Sequence, residues 1–129
     1  FAMTSTHPLQ PNASARFRVQ VKHAMAIGPG KADVLQAIAE TGSLAEAGRR
    51  LGMSYQRAWS LVRAMNRDFV EPLVATQRGG SAGGGAQLTP MGHQVLALYR
   101  RIEADAHRAM LKRLPALMAL IRQEPGEGS

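Results

Sequence analysis

The chain has 129 residues, 45% of them hydrophobic and 19% charged, which fits one soluble globular domain with a core and leaves little room for a second. Sixteen Lys and Arg against nine Asp and Glu give a formal charge of +7, a balance that favours anionic partners, nucleic acid before an acidic membrane. There is no cysteine, so disulfides and thiolate metal sites are excluded, and neither a secretion leader nor an apolar run near the ~20 residues of a membrane span is found.

Residues 1–15 are rich in Pro, Ser and Thr without periodicity and read as a mobile tail. In RFRVQVKH, residues 16–23, Phe17, Val19 and Val21 alternate with polar neighbours, the pattern of a half-buried strand. Pro29 then opens a helix with Val34, Leu35 and Ile38 on one face, and Gly42 is placed to end it. Ser43 followed by Glu46 predicts a capping box at the start of a second short helix, which Gly52 stops. Ser54 caps a third helix that runs to Phe69.

PLVATQR and AQLT read as two strands around GGSAGGG, residues 79–85, so the glycines form a hairpin tip and not a linker. A phosphate-binding P-loop is disfavoured, because no Gly-Lys-Ser/Thr follows and the segment joins strand to strand. Thr89 and Pro90 are an N-cap and first-turn pair. A long helix follows to about residue 122, with Pro115 expected to kink or interrupt it, and residues 123–129 read as a frayed tail.

Helix, helix, turn, helix, strand, tip, strand is the order of a winged helix-turn-helix, a mainly α fold with a small β wing, here continued by a long C-terminal helix. The domain reading is 16–89 for the winged unit and 90–122 for the long helix. Gly48 supplies a small residue where two helices touch, and Gly52 supplies the turn. Leu44, Ala47, Leu51, Met53, Ala58 and Leu61 supply apolar support.

At about 100° per residue, Gln56, Ser60, Arg63 and Arg67 fall along one side of the third helix. Ala58, Leu61, Val62, Met65 and Phe69 fall on the other. One side is thus free for the major groove of double-stranded DNA, the plainer alternative being the solvated face of an amphipathic helix. Gln56 suits an adenine edge, Arg57 and Arg63 suit guanine or phosphate, and Ser54 and Ser60 suit phosphate. Tyr55 and Trp59, on a flank, either cover the core edge and support the wing or touch thymine methyls, sugars and backbone. Arg49 and Arg50 face either phosphate or solvent, Arg50 leaning to solvent. At the tip, Gly79, Gly80, Gly83 and Gly84 would let backbone N–H groups approach phosphate, with Arg78 at the base as the charged contact. A loose surface hairpin without a partner is the plainer alternative.

The run ETGSLAEAGRRLGMSYQRAWSLVRAMN, with LVATQRGGSAGGGAQLTPMGHQVLALY, resembles the N-terminal DNA-binding domain of ModE-type molybdate-responsive transcription regulators and, more distantly, the LysR-type winged helix-turn-helix. The resemblance covers roughly residues 16–113 and rests on the SY..AW...MN run and the GG..GGGA.LT..G wing. It implies a cytoplasmic homodimer, held largely by the long helix, with two third helices in successive major grooves of a palindromic site. Full-length members carry C-terminal molybdate-binding modules; the chain ends shortly after the helix, so no such module is expected in it.

Along the long helix, Val95, Leu98, Ile102, Ala106, Met110 and Leu114 form an apolar stripe reaching on to Leu117. From Val95 to Leu117 that stripe is about 33 Å at ~1.5 Å per residue, longer than one small unit covers, so it predicts a dimer seam. His7, His23, His93 and His107 are scattered, no catalytic pair or nucleophile elbow is seen, and neither a metal, a cofactor nor an enzymatic activity is expected. The rival to a DNA-binding regulator is a winged-helix scaffold for other proteins. Against it, no acid lies between Ser54 and Arg67.

Overall fold

The computed structural model describes residues 19–21, 25–77 and 85–122. The expected tails at 1–15 and 123–129, and the wing tip with Arg78, Gly79, Gly80, Gly83 and Gly84, lie outside them. Eight elements follow in order: β1 (Val19–Val21), β2 (Met25–Ile27), α1 (Pro29–Thr41), α2 (Leu44–Leu51), α3 (Tyr55–Asp68), β3 (Val74–Gln77), β4 (Gly85–Leu88) and α4 (Pro90–Met118). The chain divides into two compact units, one spanning Arg16–Arg101; the described part of the other is residues 102–122. The fold is a winged helix-turn-helix with a long C-terminal helix.

The first unit begins with a hairpin, where the sequence suggested a single strand. β1 pairs antiparallel with β2, Val19 opposite Ile27 and Val21 opposite Met25. Met-Ala-Ile alternates no polar residue and is bounded on its N-terminal side by no glycine or proline, so no strand is expected there from sequence.

Pro29 occupies the first turn of α1, where its missing N–H costs nothing, and Gly42 ends the helix at φ 71, a left-handed conformation that suits glycine. Ser43 Oγ accepts from Glu46 N at 3.1 Å and caps α2. The reciprocal half of the capping box does not form. Ser43 N donates to Thr41 Oγ1 at 3.2 Å, and the Glu46 carboxylate pairs instead with Arg49 one turn on. Gly52 closes α2 at φ 70, and Ser54 Oγ caps α3 by accepting from Arg57 N at 3.0 Å.

Gly48 is buried where α2 meets α3. A Cβ there would lie 3.1 Å from Met53 O and 3.8 Å from Ala58 Cβ, so the two helices approach backbone to side chain with no space left for a larger residue. The core beneath them is apolar throughout: Val34, Leu35 and Ile38 of α1, Ala47 of α2, Ala58 and Val62 of α3 and Leu73 are all fully buried. Each large aliphatic among them contributes roughly 1.5–3 kcal/mol of burial. Leu61 and Phe69 pack on this cluster while only partly buried.

β3 and β4 pair antiparallel from Val74↔Leu88 to Gln77↔Gly85 and form the stem of the wing. The stem is tied to the helices: Ala86 N donates to Gly42 O at 3.1 Å. Thr89 Oγ1 accepts from Gly92 N at 3.0 Å as the cap of α4, and donates to Pro72 O at 2.7 Å. The first half of α4 packs on the core through Leu96 and Tyr99, and Arg100 reaches Asp33 of α1 at 3.1 Å. Pro115 does not end the helix, which continues to Met118. As proline it donates no N–H to the carbonyl of Leu111 one turn back, while its own carbonyl accepts from Ala119 N at 3.0 Å and so continues the chain of hydrogen bonds.

Candidate nucleic-acid interface

The geometry of the third helix follows from its cap and its period. Ser54 fixes where α3 starts, and Ala58, Val62 and Met65 anchor one side in the core. Residues about two positions away, roughly half a turn round, must then face outward. Gln56, Arg57, Ser60, Arg63 and Arg67 are all exposed, as is Ser54. Gln56, Trp59, Ser60, Arg63, Ala64 and Arg67 line one shallow depression on this surface. The four residues predicted to share a side thus do share one concave strip.

The flank residues separate. Trp59 is partly buried and packs against the hydrophobic core, whereas Tyr55 is 56% exposed. Trp59 is therefore committed to support at least in part, and Tyr55 presents its ring and hydroxyl to solvent.

Charge is distributed unevenly between α2 and α3. Arg49 pairs with Glu46, and Arg50 pairs with Glu40 of α1, so both α2 arginines have a carboxylate partner. The Arg49 guanidinium, through its hydrogen bond and its charge, holds the Glu46 carboxyl below its ordinary range; Arg49 is raised in turn by Glu46. Arg67 lies 3.4 Å from Asp68. Arg57 and Arg63 have no ion pair among the described residues. Of the arginines on these two helices, those without an ion pair among the described residues, Arg57 and Arg63, stand on α3 with Gln56 and Ser60.

One residue that sequence reasoning left without a role is prominent here. Asn66 accepts from Leu73 N at 2.8 Å and Val74 N at 3.1 Å, and donates to Val74 O at 3.1 Å. Its side chain occupies three backbone groups at the start of β3. Asn is a poor helix former and lies here in the last turn of α3, two residues before its end; that is a weak local signal, and it does not name the partners.

On α4, Leu98 is 53% and Ile102 43% exposed, while Val95 packs on the core and Ala106, Met110 and Leu114 are half-buried. Further along, Leu117, Leu120 and Ile121 are also exposed. Among the described residues no group of His, Cys, Asp and Glu is arranged to hold a metal, and no helix is long and apolar enough to cross a membrane.

Comparison with known proteins gives a consistent result. Residues 31–93 match the family described as "Bacterial regulatory helix-turn-helix protein, lysR family". The molybdenum-pterin-binding protein MopB of Rhodobacter capsulatus is 43% identical over 84 residues, which are 65% of this chain and 31% of that protein. The molybdenum transport protein ModE of Azotobacter vinelandii is 34% identical over 96 residues, 74% of this chain and 36% of that one. The chain thus spans about a third of the length of these relatives. Among solved structures, the DNA-binding domain of CbnR in complex with DNA is similar with a TM-score of 0.55 and 27% identity, over 68% of this chain and 95% of that one.

Proposed function

Residues 31–93 form a LysR-type helix-turn-helix domain of the kind carried by ModE-type regulators, and from this premise we propose that the chain is the DNA-binding part of a sequence-specific transcription regulator. The observation that carries the reading is the strip on α3, where Gln56, Ser60 and Arg63 lie together, exposed and without an acid. A helix held by its opposite side against a core is presented to a groove at its N-terminal half, where side chains reach base edges. Gln56 addresses an adenine edge through paired donor and acceptor, and Arg63 a guanine edge through its forked donors. Ser54 Oγ already accepts from Arg57 N, which leaves its O–H to donate to phosphate. Arg57, Ser60, Arg67 and exposed Tyr55 complete the backbone and groove contacts, with the wing from Arg78 through the glycines along the sugar-phosphate backbone or minor groove and Trp59 steadying the helix beneath.

Residues 16–89 act as the groove-binding unit and residues 90–122 as the dimerising helix, in a homodimer acting in the cytoplasm. The exposed Leu98 and Ile102, continuous with Ala106, Met110 and Leu114, support that arrangement. No catalytic role is assigned.

The test is selection of bound duplexes from a random pool by the wild-type chain, with Arg63→Ala alongside. A single enriched motif whose binding falls steeply with salt supports the reading, and Arg63→Ala is expected to cost about 1–3 kcal/mol and to relax one position of the motif. No enrichment, with salt-insensitive binding, favours a protein-binding scaffold instead.

A further inference from the structure

We propose that Asn66 is a positioning residue that fixes the wing against the groove-facing helix, so that the two engage DNA as one rigid body. This rests on the reading above. Between Phe69, which packs on the core, and buried Leu73, the three linking residues are weakly anchored by their own side chains: Val70 is 90% exposed and Glu71 and Pro72 are exposed. The angle between helix and wing must therefore be set by contacts at its two ends. At the helix end, the Asn66 amide holds Leu73 N, Val74 N and Val74 O at 2.8, 3.1 and 3.1 Å. At the strand end, Val74 is the residue that opens the β3–β4 ladder opposite Leu88. The clamp thus grips the first rung of the wing stem, not the linking segment.

The same strand start is held from its other side. Thr89 Oγ1 donates to Pro72 O at 2.7 Å, and Thr89 N donates to Leu73 O at 3.0 Å. With Asn66 in place, Leu73 N and O and Val74 N and O all have partners, all but Leu73 O from Asn66 itself. Loss of the amide leaves Val74 N and O, and Leu73 N, to be satisfied by water, which requires the strand to swing from the helix. An amide suits this position because its oxygen accepts both N–H groups while its separate NH₂ donates to the carbonyl; an ionised carboxylate cannot donate, and a hydroxyl would have to do all three from one oxygen.

The experiment is hydroxyl-radical footprinting of the duplex that the wild-type chain selects, with Asn66→Ala, Asn66→Asp and Val62→Ala, each checked for folding by circular dichroism. Asn66→Ala is expected to keep protection at the centre of each half-site, to lose it at the flanking sugars, and to bind about tenfold more weakly. Asn66→Asp retains the two accepted N–H bonds and restores part of the flanking protection. Val62→Ala loosens the core of the same helix without touching the clamp, and weakens binding evenly across the footprint. Wild-type flanking protection in folded Asn66→Ala overturns the proposal. So does an even loss matching Val62→Ala, or failure of both Asn66 variants to fold, which marks the amide as a stability residue. If the wild-type chain selects no duplex, the DNA-binding reading itself falls, and this one with it.

Discussion

Replacing Gly92 by alanine measures how tightly the wing is seated on the long helix. A Cβ at position 92 would stand 2.1 Å from Leu73 O, 3.0 Å from Leu73 C and 3.3 Å from Leu88 Cβ. No real Cβ approaches a carbonyl oxygen to 2.1 Å, so backbone must move by about 1 Å to restore van der Waals separation. The obstructing atom is not a flexible side chain. Leu73 O accepts from Thr89 N at 3.0 Å, and Leu73 N is bound by Asn66, so any shift strains two elements. Overpacking of this kind costs about 1–3 kcal/mol, and weakening the Thr89–Leu73 bond adds roughly 1 kcal/mol. Alanine returns about 0.5–1 kcal/mol of helix propensity. The net is a destabilisation of about 1–3.5 kcal/mol, which lowers the melting temperature by roughly 4–8 °C for each kcal/mol in a domain of 60–100 residues. Thermal unfolding followed by circular dichroism reads it directly. Gly30→Ala is the matched control: it lies in α1 with nothing within 4 Å of its added Cβ, and alanine there is expected to be neutral or to stabilise by up to about 1 kcal/mol. If Gly92→Ala melts with Gly30→Ala, the tight seating of α4 on Leu73 is wrong.

Asp substituted at both Leu98 and Ile102, which are 53% and 43% exposed, is expected to leave the fold intact and yield a monomer by sedimentation at micromolar concentration; a wild-type chain that is itself monomeric refutes the seam. The Glu46 carboxyl, lowered by Arg49, titrates below the ordinary carboxylate range, so the pair's small contribution to stability is present above that range and is lost as pH falls through the lowered value. Arg49→Gln is expected to return the Glu46 titration, followed by NMR, towards its ordinary position; no movement would mean that the pair does not persist in solution.

The helix-turn-helix could be read from sequence because its constraints are local and repeated. Ser43, Gly48, Gly52 and Ser54 each answer a backbone requirement within a few residues, and the apolar period of α3 says which side is buried. The exposed strip from Gln56 to Arg67 follows from the same period. What could not be read depends on partners far along the chain. Asn66 reads as an ordinary polar residue near the end of a helix, and nothing nearby says that its partners are Leu73 and Val74. Arg50 finds Glu40 ten positions back, across the α1–α2 corner, which no helical spacing predicts. Gly92 reads as one more small residue in a helix until Leu73 O is placed against it. The half-formed capping box at Ser43 shows the limit of even a local rule: the spacing was right, but Arg49 competes for the same carboxylate.

The contrast between α2, whose two arginines are matched by carboxylates, and α3, whose Arg57 and Arg63 are not, leaves the charge on this pair of helices lopsided. A lopsided field exerts torque as well as pull. In the proposed DNA complex, an approaching polyanion is turned towards α3 before any atom touches, which raises the fraction of encounters that are productive. Selectivity of orientation is then decided at a distance of about one Debye length, some 8–10 Å in ordinary salt, by carboxylates that never take part in the final contact.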